Sequence, residues 1–72
     1  MTDPKPTLIE GVGPATMAVL RAFFRLRLSE RQRILAALGV ERGGAGTDFE
    51  RDRIALLRLK KQRRLEELAD YV

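Results

Sequence analysis

The chain has no cysteine, histidine or tryptophan, one tyrosine, three phenylalanines and a single serine. Without cysteine no disulfide can form, and without cysteine or histidine a zinc site lacks its usual ligands. The lone serine, Ser29, has no histidine or cysteine to activate it or to replace it as a nucleophile. The composition therefore predicts a protein that is not an enzyme and that has no metal and no cofactor.

Long apolar runs are also absent. No run approaches the ~20 residues that a membrane-spanning helix needs, and the first residues, MTDPKPTLIEG, lack the basic start and apolar stretch of a signal peptide. The absence of cysteine fits a reducing compartment. We therefore expect a cytoplasmic protein that does not associate with membranes.

At 72 residues the chain is one small domain. A domain of this size buries only roughly 60% of its unfolded surface, so its stability is expected to be marginal. Leucine supplies 11 of the residues, which is enough for a small helical core. Because no disulfide or zinc site can help, the core has to come from helix packing or from a partner.

Charge is distributed unevenly along the chain, which has a net charge of +4. Five arginines and one acidic residue lie between Arg21 and Arg33, and seven basic residues and one acidic residue lie between Arg51 and Arg64. The residues that follow, Glu66, Glu67 and Asp70, are acidic. This pattern predicts two basic helical segments and an acidic end.

The first half of the chain contains signals for two helices. Residues 1–13 have two prolines and a Gly-Val-Gly break, which predicts a flexible lead-in and turn before a helical domain over residues 14–72. Pro14 suits the first position of a helix that runs to about residue 25 or 26. Ser29 and Gln32 have the spacing of a capping box for a second helix. Gly39 is placed as its left-handed stop, with Val40 positioned to contact Leu35.

A second capping box, with Thr47 and Glu50, follows a glycine-rich connection and predicts a third helix. Residues 60–64 are compatible with a continuous helix or with a bend, after which Leu65, Leu68 and Val72 recur at helical spacing. No strand alternation occurs. The prediction is an all-α fold, a compact bundle of four to five short helices. Its predicted core is Leu20, Phe23, Phe24, Ile34, Leu35, Leu38, Phe49, Leu57, Leu65 and Leu68.

The segment Thr7–Phe24 resembles one half of a helix-hairpin-helix motif, since its Gly-apolar-Gly turn is followed by a helix. This resemblance implies sequence-independent binding of a DNA phosphate by backbone N–H groups and a helix N-terminus. The residues implied are Gly11, Val12, Gly13, Thr16 and Arg21. The alternative interpretation is that the glycines end a loop and Pro14 starts a helix.

From about Leu20 to Val72, the chain resembles the death-fold-like, effector-associated domains of bacteria. The resemblance consists of an apolar helix, the Leu38-Gly39-Val40 stop, a glycine-rich gap and an acidic helix start, with Leu65 and Leu68 near the end. It implies a non-catalytic adaptor that recruits or assembles effectors in antiphage or conflict systems. The implied partner is a protein with a similar helical domain, or a second copy of the chain; nucleic acid is the second choice.

Charged residues outside the apolar stripes are the candidates for such docking. Opposite charges on different faces suit protein–protein association. The basic candidates are Arg31, Arg53, Arg63 and Arg64, and the acidic candidates are Glu66, Glu67 and Asp70.

Overall fold

A computed structural model describes residues 8–72 as a succession of four helices, without a strand in that range. The helices are α1 (Pro14–Arg25), α2 (Leu28–Leu38), α3 (Asp48–Lys61) and a 3₁₀ helix (Leu65–Asp70). The predicted all-α bundle of four to five short helices is thereby confirmed. None of the described helices is both long and apolar enough to cross a membrane.

Helices α1 and α2 follow the local signals in part. Gly13 is the N-cap of α1 and Pro14 its first residue, as expected. The predicted capping box of α2 is wrong, because the N-cap is Arg27 and Ser29 is the second residue inside the helix. The predicted stop is confirmed: Gly39 has φ 71° and the Val40 N–H donates to the Leu35 carbonyl at 3.1 Å.

Helix α3 begins at the predicted capping residue. The Thr47 hydroxyl accepts a hydrogen bond from the Glu50 N–H at 3.2 Å, which satisfies one of the free donors of the first turn. The carboxylates of Asp48 and Glu50 lie in that turn, where the helix dipole favours negative charge.

Residues 60–64 form a bend. Helix α3 ends at Lys61, and Arg63 takes a left-handed conformation with φ 59°. The Arg64 N–H then donates to the Leu59 carbonyl at 2.8 Å. This is a Schellman-type stop with arginine where glycine is usual. The chain turns here and packs the 3₁₀ helix against α1.

The core differs from the predicted one at its edges. Seven of the ten predicted residues are buried. Phe24 and Leu57 are half-buried and pack against the core, whereas Phe49 is 42% exposed, so the prediction for Phe49 is wrong. Phe49 lies on the outside of the Phe24 ring, with 4.8 Å between the ring centroids. The buried residues that were not predicted are Ile9, Val40, Ala55, Leu56 and Leu59.

Part of the segment predicted as a lead-in is packed. Ile9 is fully buried, and the backbone of its neighbours is bound to α3. Arg53 donates to the Leu8 carbonyl at 2.8 Å, and Lys60 donates to the Glu10 carbonyl. The flexibility predicted for residues 1–7 concerns a segment outside the described residues.

Replacing Arg63 by glycine is expected to stabilise the protein. A left-handed conformation costs an L-residue roughly 1–2 kcal/mol, and the gain is partly offset because glycine makes the unfolded chain more flexible. We expect Arg63→Gly to raise the free energy of unfolding by about 0.5–1 kcal/mol. Arg63→Ala is the control, since it removes the same charge but keeps the strain. Equal urea midpoints for the two variants would show that backbone strain at residue 63 is negligible.

Candidate interaction site

Arg31 is half-buried and its guanidinium is bound within the fold. Its Nε donates to Oδ2 of Asp52 at 2.8 Å, and its Nη1 donates to the Leu26 carbonyl at 2.7 Å. The guanidinium also lies 5.7 Å from the centroid of the Phe24 ring. Only 13% of the side chain is exposed. These contacts join α2 to α3 and to the end of α1, so the charge of Arg31 is bound within the chain, and its contact with a partner stays a prediction.

Asp52 accepts a second arginine on its other oxygen. The Nε of Arg42 donates to Oδ1 of Asp52 at 2.6 Å, and its Nη2 donates to Asp48 at 3.2 Å. Asp52 is completely buried, while Arg42 is half-buried. The hydrogen bond to Asp52 is the main cause that raises the pKa of Arg42. The carboxylate of Asp52, in α3, thus binds both α2 and the loop between α2 and α3.

This role of Asp52 was missed at the sequence level, although a signal was present. Asp52 precedes Ala55, Leu56 and Leu59 at intervals of three, four and seven residues, so it lies on the buried stripe of α3. A single acid on an apolar stripe of a basic chain indicates a buried ion pair, because an isolated buried carboxylate is too costly. The packing of α2 and the following loop against α3 decides which arginines reach Asp52.

Arg53, Arg64 and Glu67 are also engaged inside the molecule. Arg53 binds the Leu8 carbonyl, as described above. Arg64 donates to the Leu38 carbonyl at 2.9 Å and to both oxygens of Glu67 at 3.0 and 3.1 Å. These contacts fasten the bend after α3 to the end of α2. As docking groups the three are already occupied by partners within the chain.

The pair of Arg64 and Glu67 has a defined pH dependence. Hydrogen bonds from Arg64 lower the pKa of Glu67 below its ordinary value, and the positive charge of Arg64 adds to this effect. The pair therefore stabilises the fold at pH values above the pKa of Glu67 in the unfolded chain. Its contribution is lost as the pH falls through the lower pKa of the folded state. At neutral pH Glu67 is ionised and bound.

Arg63, Glu66 and Asp70 have a different environment. All three are exposed, and none of them forms a side-chain hydrogen bond or an ion pair within residues 8–72. Of the seven predicted docking residues, these three are the ones whose charges have no partner among residues 8–72.

An apolar groove lies between α1 and the 3₁₀ helix. Its volume is about 180 Å³, and its lining residues are Ala15, Thr16, Val19, Leu65, Glu66 and Ala69. Each wall presents an apolar pair four residues apart, Ala15 with Val19 and Leu65 with Ala69. The groove brings together Thr16, predicted to contact DNA, and Glu66, predicted to contact protein. A sequence pattern shows each pair, but only the bend at Arg63 brings the two walls into contact.

A second, more polar hollow of about 390 Å³ lies at the start of α2. It is lined by Leu26, Arg27, Ser29, Glu30, Arg33, Ile34 and Tyr71. Its charged residues have both signs, and none of its polar side chains is buried. The hollow therefore has the character of an open, solvated surface.

The candidate hairpin keeps only part of the expected motif. Gly11 has φ 77°, Gly13 is extended and caps α1, and Val12 and Thr16 are half-buried. Arg21 is exposed on α1, more than one turn beyond Thr16. Residues 8–11 form bends and a turn, so the first helix of a helix-hairpin-helix is missing from this part of the chain. Lys60 covers the turn, and a Cβ atom at Gly11 would lie 3.0 Å from its Nζ.

Comparison with known proteins yields no relative. A scan of protein-family models and searches of curated proteins and of solved structures return no match.

Removing the charge of Asp52 is expected to unfold the domain. Breaking a buried ion pair on one side typically costs about 3–5 kcal/mol, because the remaining charge is left without a partner. Asp52→Asn leaves Arg31 without a carboxylate partner and leaves Arg42 only the exposed Asp48. Asp48→Asn is the matched control, since Asp48 binds Arg42 from an exposed position, and its cost is expected to stay below about 1 kcal/mol. Circular dichroism during heating measures both, and coincident melting curves would contradict the structural role of Asp52.

Proposed function

We propose that the protein is a non-catalytic adaptor module that docks a helical protein partner. The observation that carries this proposal is the apolar groove between α1 and the 3₁₀ helix, with the exposed carboxylate of Glu66 among its lining residues. Apolar grooves with charged rims are a common way of binding an amphipathic helix. The partner is a protein with a similar helical domain, or a second copy of this chain.

The distribution of engaged and free charge supports this function. Most arginines of the second basic segment bind carbonyls or carboxylates of the chain itself, which leaves few of them for a ligand. The free charges are of both signs, as electrostatic steering between proteins requires. The resemblance to effector-associated domains supports a role in bacterial conflict or antiphage systems, in the cytoplasm.

Partner binding is expected to weaken with salt and to depend on the acidic residue that lines the groove, Glu66. Glu66→Lys should weaken binding at least tenfold, whereas Glu30→Lys, the same change on an exposed residue of α2, should leave it unchanged. Proteins captured on the immobilised chain are purified and titrated by calorimetry below and above the salt at which the Debye length is ~8 Å. The proposal fails if no purified candidate binds, or if the two variants bind every candidate equally.

A second candidate function is binding of the DNA backbone. It is favoured by the open N-terminus of α1 after Gly11 and Gly13, with Arg21 exposed on the same helix. The bends and turn of residues 8–11, where the motif needs a helix, and the position of Lys60 over the turn count against it. We therefore rank it below protein docking.

Gly13→Asp separates these two functions. A Cβ at Gly13 meets no atom within 4 Å and φ is −76°, so the fold accepts the change. Aspartate is also a better N-cap than glycine by a few tenths of a kcal/mol. We expect unchanged or slightly raised stability and only weak, salt-sensitive duplex binding by the unchanged chain. Gly44→Asp, in open space on the loop after α2, is the control. Sub-micromolar duplex affinity that Gly13→Asp abolishes and Gly44→Asp keeps would reverse the ranking.

A further inference from the structure

The segment after α3 has a conformation that its own sequence does not favour. Arg63 is the one non-glycine residue with a positive φ among residues 8–72. The 3₁₀ helix that follows, Leu65–Asp70, is six residues long, although 3₁₀ runs of more than about four residues are uncommon. Both features indicate a segment that is held by tertiary contacts and not by local preference.

The local preference is for a continuous α-helix. From Asp48 to Val72 the chain has no glycine and no proline. Residues 58–69, RLKKQRRLEELA, consist only of leucine, alanine, arginine, lysine, glutamine and glutamate, which are the best helix formers. A left-handed conformation is unfavourable for Arg63 as an L-residue, and a continuous helix removes this cost.

A straight helix would also keep the backbone donors of the bend paired. In the bend, the Arg63 N–H donates to the Lys60 carbonyl at 2.9 Å and the Arg64 N–H donates to the Leu59 carbonyl at 2.8 Å. In an α-helix each N–H binds the carbonyl four residues earlier, so the same two donors would exchange the same two carbonyls. The bend is therefore a hinge with two hydrogen-bonded arrangements.

Burial is what a straight helix would lose. Leu65 and Leu68 are buried in the core, and the 3₁₀ helix contacts α1. Straightening the hinge moves both leucines away from α1 and uncovers the face of α1 beneath them. A second copy that is straightened in the same way carries an identical segment for that face. Such an exchange keeps the contacts of the single chain and relieves the strain at the hinge.

We propose that residues 65–72 are exchanged between two copies of the chain, with α3 continuing through the hinge as one helix. The occupant of the uncovered face of α1 is thus the segment of the second copy. Because association costs translational and rotational freedom, the single chain dominates in dilute solution and the exchanged dimer forms at high concentration. The proposal goes beyond the docking function and does not depend on it, since each groove would be rebuilt with walls from two copies.

A pair of variants at the hinge tests the exchange. Arg63→Ala and Arg63→Gly remove the same charge, but alanine favours the straight helix, whereas glycine favours the left-handed bend. Each chain is unfolded in urea, refolded at millimolar concentration and measured by sedimentation equilibrium. The dimer dissociation constant should be at least tenfold higher for Arg63→Gly than for Arg63→Ala, since both copies of a dimer contain the change.

Cross-linking distinguishes an exchanged dimer from two chains that lie side by side. Ala15 and Ala69 are exposed on opposite walls of the groove, and the chain has no other cysteine when both are replaced by cysteine. A short bismaleimide should join them within one chain in the monomer and between two chains in the refolded dimer. The control pair is Gly43→Cys with Ile54→Cys, which are in contact and both precede the hinge. Their link should stay within one chain in both forms.

Circular dichroism verifies that every variant is folded. The exchange is wrong if the unchanged chain and Arg63→Ala stay monomeric at millimolar concentration, or if the two hinge variants dimerise equally. It is also wrong if the link between residues 15 and 69 stays within one chain in the dimer. None of these results bears on the docking function, which the titrations of Glu66→Lys and Glu30→Lys decide.

Discussion

The fold depends on one buried carboxylate. Asp52 lies on the apolar stripe of α3, and each of its oxygens accepts an arginine Nε, one from α2 and one from the loop that leads to α3. Arg31 also binds the last turn of α1 through the Leu26 carbonyl. Every element before the bend is therefore fixed relative to this group. In a small domain without cysteine, such a network specifies one arrangement of helices that apolar contacts alone would leave loosely defined.

The same kind of contact explains why the charge pattern of the sequence does not show which arginines are free on the surface. Arginine-rich segments are usually solvated faces, and as such Arg31, Arg53 and Arg64 are natural candidates for docking. In the folded chain each binds a backbone carbonyl, and two of them also bind a carboxylate. A planar guanidinium with five donors can satisfy several acceptors at the places where helices end. Here Arg31 and Arg64 satisfy the carbonyls of Leu26 and Leu38, at the ends of α1 and α2.

The proposed function draws on the charges that have no partner inside the fold. Glu66 is one of them, since it is exposed, lines the apolar groove and forms no ion pair within residues 8–72. The groove is formed by the bend at Arg63, because this bend turns the chain so that Leu65 and Ala69 lie opposite Ala15 and Val19. The strained conformation of Arg63 thus creates the proposed docking surface.

The amino-acid sequence determined those features that depend on a few neighbouring residues. The stop of α2 needs only a residue at position 39 that accepts a left-handed conformation, which glycine does. The cap of α3 needs only a hydroxyl three positions before a free N–H, which Thr47 supplies. Both were predicted correctly. The helical class follows from apolar spacing in the same way. Ser29 has an equally good local signal, yet α2 starts two residues earlier, where Leu28 is half-buried against the bundle.

Tertiary structure alone decided the rest. It buried Ile9 and left Phe49 exposed, it selected Arg31 and Arg42 as the partners of Asp52, and it formed the groove from two distant segments. These outcomes depend on which helix faces meet, and a contact between residues 40 or 50 positions apart is not encoded in the spacing of either segment.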